Sequence, residues 1–262
     1  MKQRIITAVV AAAVFLPIVF YGRLPFTLLV YLLGTIGVLE LLRMKKIDLF
    51  SFPGFLSLVL LWVFLIPRRS DSVLIMFSDY KVEIALFAVL LLLTYTVLIK
   101  NKFTFDDAAF VMLATIYVGM GFYYFIEIRQ IGLVYVFFAL FIIWATDSGA
   151  YFIGRAMGKN KLWPEISPNK TIEGSLGGVG CAILVAVIFQ LFAPVEESII
   201  QLLIIAVVLS VFGQVGDLVE SAFKRHYGVK DSGRILPGHG GILDRFDSLL
   251  FVWPILYFLM MF

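Results

Sequence analysis

Residues 221–247 read SAFKRHYGVKDSGRILPGHGGILDRFD. Both histidines of the chain, His226 and His239, lie here. Lys224, Arg225, Lys230, Arg234 and Arg245 are set against Asp231, Asp244 and Asp247. Gly228, Gly233, Gly238, Gly240, Gly241 and Pro237 interrupt any long helix. A packed core has no use for this mixture. A site that grips phosphates and a divalent metal does: cations and free backbone N–H groups hold the phosphates, and carboxylates hold the metal.

Outward from this stretch the chain turns apolar. It has 262 residues, 61% hydrophobic and 15% charged, with a mean hydropathy of +1.00. Soluble domains carry roughly 45–50% apolar and about 25% charged residues. The composition therefore describes an integral membrane protein, read as a single membrane domain over residues 1–262. Residues 1–126 form a helical scaffold and residues 127–262 carry the site. Nine apolar segments stand out, at 5–21, 25–42, 52–66, 82–99, 108–126, 131–145, 174–193, 198–215 and 248–262. About 20 residues of helix cross the ~30 Å hydrocarbon core, and lipid requires every backbone polar group to be satisfied internally. The expected fold is an all-α polytopic membrane protein with about nine transmembrane helices and a polar cavity facing the cytoplasm. The first segment follows Lys2 and Arg4 without a small-residue cleavage site, so it reads as a retained helix rather than a signal peptide.

The basic residues orient this arrangement. Nine crossings place Arg23, Arg68, Arg69, Lys81 and Arg129 on one side, and the rest of the 21 Lys and Arg on the other. The positive-inside rule then puts the N-terminus and residues 221–247 in the cytoplasm, and Phe262 outside. A net charge of +3 without a separate basic domain excludes nucleic acid as a partner. Cys181 is the only cysteine, so neither an intrachain disulfide nor a thiolate cluster exists; in its apolar run it reads as a packing residue. Glu40, near the end of the second segment, reads as an interfacial partner for Arg43 at i,i+3 spacing.

Three stretches of the second half add polar groups. Asp147 stands in TDSGAYFIGR, either as a helix-terminal aspartate meeting water or as a residue facing the same site. Residues 155–171 form a loop. Within it Gly154 to Lys159 only superficially suggests a P-loop, because the spacing is one residue short and Asn160 replaces the hydroxyl. Ser167-Pro168-Asn169-Lys170-Thr171 then opens a glycine-containing helix. Lys170 and Thr171 there fit an anion site at a helix N-terminus; the stretch equally fits a plain cap by Ser167, Asn169 or Thr171, with glycines that let helices pack closely. Asp217, Glu220, Ser221 and Lys224 recur at i, i+3, i+4 and i+7 and share one face of a continued helix. Asp244 and Asp247 share another. Two readings are open: a magnesium site on these acidic helix ends, or an ion-pair network among Asp217, Lys224, Arg245 and Asp244. His239 between glycines could bind phosphate, shuttle a proton or cap a turn. With two histidines and many aspartates, a hard cation fits better than zinc.

The order Ser-x-Phe-Lys-Arg, four residues, Lys-Asp-x-Gly, two residues, Leu-Pro-x-His-Gly-Gly-Ile-x-Asp-Arg-Phe-Asp resembles the signature of the phosphatidate cytidylyltransferases, the CDP-diacylglycerol synthases. It fixes many positions within residues 221–247. Residues 147–151 and 167–174 are similar to two further stretches of that family. The resemblance implies synthesis of CDP-diacylglycerol and pyrophosphate from CTP and phosphatidic acid, within a membrane and with Mg2+, a second cation being compatible. It implies a metal site of Asp217, Asp244 and Asp247. It also implies catalytic roles for Asp217, Asp244, Lys224, Arg225 and His239. Substrate contacts would come from Lys170, Thr171, Ser221, Lys230, Arg245 and Asp147. It implies a homodimer among membrane lipids, in the inner (plasma) membrane. Two other functions compete: a cytidylyltransferase acting on a different lipid phosphate, and an anion transporter. A transporter is expected to show paired repeats and polar residues near mid-helix, whereas the charges here cluster at helix ends.

Overall fold

The computed structural model describes residues 2–68 and 73–261. Arg69 and Phe262, used above to orient the chain, lie outside the described residues, as do the side chains of Lys2 and Arg4. Among the described residues ten helices follow in order: α1 (Lys2–Tyr21), α2 (Arg23–Met44), α3 (Phe52–Phe64), α4 (Val73–Asp79), α5 (Lys81–Leu98), α6 (Phe105–Ile131), α7 (Leu133–Met157), α8 (Ile172–Phe192), α9 (Ile199–His226) and α10 (Leu243–Leu259). Each of the nine apolar segments has its helix, and α4 is additional. Among the described residues, six are long and apolar enough to cross a membrane: α2, α5, α6, α7, α8 and α9. The protein is an integral membrane protein built mainly of helices.

The all-α expectation needs one correction. Two strands, β1 (Lys161–Trp163) and β2 (Ser167–Thr171), pair antiparallel, with Lys161 opposite Thr171 and Trp163 opposite Ser167. Sequence reading made this stretch a loop, and Pro168 lies inside β2. In a two-stranded ribbon both strands are edges, where proline is tolerated. The ribbon is held from outside itself. Glu173, in the first turn of α8, accepts from the Lys159 and Asn160 backbone amides at 3.1 and 3.2 Å. The Ile172 amide donates to the Asn160 carbonyl at 2.9 Å.

Local chemistry explains most helix starts. Ser51, Thr171 and Ser198 each accept from the amide three residues on, capping α3, α8 and α9. The helix α9 has 28 residues, about 42 Å at 1.5 Å per residue. It therefore runs past the apolar span expected for it and carries Asp217, Glu220, Ser221 and Lys224 as continued helix. Gly228, at φ +64°, follows its end.

The chain divides into two units, Met1–Glu127 with Asp231–Leu243, and Ile128–Lys230 with Asp244–Phe262. In the first, Val30, Leu41, Leu61, Leu65, Phe122 and Phe125 are fully or almost fully buried, and Phe26 meets Phe125 edge to face at 4.9 Å. Glu40 corrects its sequence reading. It is not interfacial but 2% exposed, and its carboxylate accepts from the Ser232 hydroxyl and the Ile242 and Leu243 amides at 2.8–2.9 Å. Periodicity along α2 cannot announce a partner some 190 residues away.

In the second unit α7 and α8 pack through glycines. A Cβ on Gly178 would stand 2.7 Å from the Thr146 carbonyl, and one on Gly149 2.6 Å from the Cys181 sulfur. Cys181 is thus a packing residue against α7. The Thr146 hydroxyl reaches Ser210 on α9 at 2.8 Å. A Cβ on Gly216 would stand 2.6 Å from the Asp247 carbonyl, so α9 and α10 cross closely beside Asp217.

Candidate active site

Small residues let three helices of the second unit converge, and their polar ends converge with them. The helix α7 brings Asp147, α9 brings Asp217, Glu220 and Lys224, and α10 brings Asp244 and Asp247. The strand β2 adds Lys170 directly ahead of the Thr171 cap. Lys170 pairs with Asp217. Lys224 bridges Glu220 and Asp244, its ammonium 2.7 Å from Asp244 Oδ1. The Glu220 and Asp244 side chains are 3% and 5% exposed.

The remaining charges lie within electrostatic reach. Asp147 feels both Asp217 and Lys170. Asp247 feels Asp217, Asp147 and Lys224, while one of its own oxygens accepts from the Ser248 amide at 2.7 Å. Carboxylates thus outnumber the lysines set among them, and a cationic guest would relieve the imbalance. A cavity of about 480 Å³ opens beside the Lys170–Asp217 pair, lined also by Asp147, Tyr151, Arg155, Asn169, Thr171, Ser175 and Gln214. It combines anchored carboxylates, cations and the amide end of α8, the donor set that polyphosphates and a hard cation require.

The cytidylyltransferase family model matches residues 2–262. The chain belongs to the cytidylyltransferase family. It is 63% identical to the phosphatidate cytidylyltransferase of Bacillus subtilis, over 99% of this chain and 97% of that protein. It is 52% identical to the phosphatidate cytidylyltransferase of Staphylococcus epidermidis and 49% identical to that of Staphylococcus aureus, each over 99% of both chains.

In this cytidylyltransferase the residues singled out from sequence divide into groups. Asp217, Asp244, Asp247, Asp147, Lys170 and Lys224 belong to one charged cluster. Thr171 caps α8, accepting from the Gly174 amide at 3.1 Å, and lines the cavity too. Arg225 donates through Nε to the Ile166 carbonyl at 3.3 Å, tying the end of α9 to the ribbon. Ser221 is half-buried, and Lys230 and Arg245 are exposed. His239 belongs to the first unit. Its amide donates to the Leu236 carbonyl at 2.9 Å, and its buried Nδ1 has no hydrogen-bond partner among the described residues.

The three aspartates expected to hold a metal do not form a ready cage. Among the described residues no three His, Cys, Asp or Glu side chains stand together as a metal site. Asp217 and Asp244 each hold a lysine. Three residues were absent from the sequence-derived site. Glu220 shared the Asp217 face and was legible by spacing, but it was not assigned a role. Glu173 and Gln214 were not legible: Glu173 clamps the ribbon, and Gln214 reaches the Ser175 carbonyl of α8 at 3.3 Å.

Proposed function

We propose that this protein is a CTP:phosphatidate cytidylyltransferase that forms CDP-diacylglycerol and pyrophosphate. The observation that carries this reading is the 63% identity, over nearly the whole chain, to a protein named for that activity. The phosphate of phosphatidic acid attacks the α-phosphorus of CTP. A new P–O bond forms, the bond between the α- and β-phosphates breaks, and pyrophosphate leaves. A phosphomonoester is already anionic near pH 7, with a second pKa of about 6, so no strong general base is demanded. The protein must hold two anions in line and offset the charge on the leaving group.

Lys170, Lys224, Arg225, Lys230 and Arg245 supply that positive charge. Thr171 and Ser221 offer hydroxyls. Magnesium takes one or two carboxylates along with waters and substrate phosphates, so Asp217 and Asp244 suffice to hold it, with Asp247 and Asp147 behind them. When bound, Mg2+ neutralises charge on the nucleotide phosphates. Asp217 and Asp244 would hold the metal, and their lysine partners Lys170 and Lys224 would contact the substrate phosphates.

The deciding assay supplies purified protein with labelled CTP and phosphatidic acid. A lipid-soluble cytidine nucleotide is the expected product. Its absence, or its formation only with a different lipid phosphate, overturns the substrate assignment. For topology, we read α1–α3 and α5–α10 as nine crossings of one membrane domain in the inner membrane, working as a homodimer. The N-terminus and the site are cytoplasmic and the C-terminus is outside. Single cysteines in a Cys181→Ala background, labelled with an impermeant thiol reagent, are expected to place residues 159–161 and 230–234 on the cytoplasmic side. Labelling of either from outside reverses the orientation and separates the site from CTP.

A further inference from the structure

Glu40 lies on α2, in the half of the chain that sequence reading treats as scaffold, and is 2% exposed. Its Oε1 accepts from the Ile242 amide at 2.8 Å. Its Oε2 accepts from the Leu243 amide and the Ser232 hydroxyl, both at 2.9 Å. These three donors are the two ends of one loop, residues 232–243. Between them the loop is held at its tip by its own bonds, Leu236 to Gly240 at 3.0 Å and His239 to Leu236 at 2.9 Å. The Thr7 hydroxyl adds a bond to the Pro237 carbonyl at 3.0 Å. Gly233 and Gly241 press on the carboxylate so closely that a Cβ on either would collide with it. The loop is shaped around this one side chain.

The chemistry calls for a carboxylate. Three donors converge, and an ionised carboxylate is an acceptor only, with about four lone-pair sites. A glutamine of the same shape would turn an NH2 group towards one of the donors. The Ile242 and Leu243 amides belong to the start of α10, where helical N–H groups lack partners within the helix and an anion is favoured. A buried carboxylate in a membrane protein is costly without such partners, and an apolar side chain on α2 would avoid that cost.

We infer that Glu40 is a positioning residue for cytidylyl transfer. It clasps the two ends of the His239 loop and fixes the first turn of α10, where Asp244 directly follows Leu243. The inference rests on the proposal that residues 217–247 carry nucleotide and metal contacts. Glu40 itself touches neither.

The test uses the full-length enzyme with Glu40→Gln, Ser232→Ala, the double variant, and Asp217→Asn as control. The KM for CTP and the half-saturating magnesium concentration are read, because neither depends on how much protein is folded. Losing a charge-assisted hydrogen bond should raise both by about tenfold or more in Glu40→Gln, and losing only the hydroxyl by about threefold in Ser232→Ala. The double variant should match Glu40→Gln, since both changes act through one carboxylate. Wild-type values of both constants in folded Glu40→Gln overturn the inference. If that variant does not fold, wild-type values in Ser232→Ala overturn it. Full activity of Asp217→Asn instead overturns the site assignment on which the inference rests.

Discussion

Asp217→Asn and Asp244→Asn are each expected to lose nearly all cytidylyl transfer, and the double variant to lose no more than either alone. An amide keeps the shape of the side chain and removes the charge. At both positions that charge faces a lysine, Lys170 for Asp217 and Lys224 for Asp244. Asp147 and Asp247 lie within electrostatic reach of Asp217. So many carboxylates beside two lysines fit the divalent-cation site proposed above. Activity is expected to vanish in a chelator and to return with magnesium or manganese. The losses should be far from additive, because removing either carboxylate already dismantles one shared site. If the two aspartates serve only their ion pairs, each variant will retain magnesium-dependent turnover and lose mainly stability. Turnover measured against magnesium concentration, in wild type and all three variants, separates the outcomes. Robust activity in either single variant, with an unchanged magnesium midpoint, would sink the shared-metal assignment.

Lys224→Met should cost both fold stability and activity. The Lys224 side chain is 18% exposed and lies between the buried carboxylates of Glu220 and Asp244. Breaking a buried ion pair by removing one partner typically costs about 3–5 kcal/mol, because the charge left behind is uncompensated. Here two carboxylates are left, within reach of each other and of Asp247. Methionine keeps most of the aliphatic length and isolates the effect of charge. Thermal unfolding in detergent should show a clear drop for Lys224→Met. Adding Glu220→Gln should recover part of the stability without restoring turnover, since it removes one stranded charge but supplies no cation. A wild-type unfolding midpoint in Lys224→Met would show that the cluster does not depend on its central cation. Recovery of turnover in Lys224→Met/Glu220→Gln would assign Lys224 a purely structural role.

These expectations draw unequally on sequence and structure. The apolar segments were legible because transfer free energy is carried residue by residue, and about 20 such residues in a row announce a membrane helix without knowledge of their neighbours. The shared face of Asp217, Glu220 and Lys224 was legible for a similar reason: helical period is local. The Pro-Gly-His-Gly-Gly stretch marked itself by glycines and a histidine that a core would not need. A cap by Ser167, Asn169 or Thr171 was legible from their place ahead of a helix, and the structure selects Thr171.

The β1–β2 ribbon was hidden because its strands have three and five residues, and its hold comes from Glu173 and Arg225, outside both strands. The burial of Glu40 was hidden more deeply. Its i,i+3 neighbour Arg43 offered a local partner, while the groups that bind it, Ser232, Ile242 and Leu243, lie about 190–200 residues along the chain. The ion pairs of the site were hidden as well: Asp217 and Asp244, two of the three expected metal ligands, hold different lysines. By itself the sequence determined the membrane class, the positions of the apolar helices and the residue types of the site, because each depends on composition or on a period of a few residues. The tertiary structure alone decided which carboxylate meets which cation, and which glutamate clasps the loop. Those pairings depend on close approach between elements, and side chains distant along the chain leave no periodic trace of their partners.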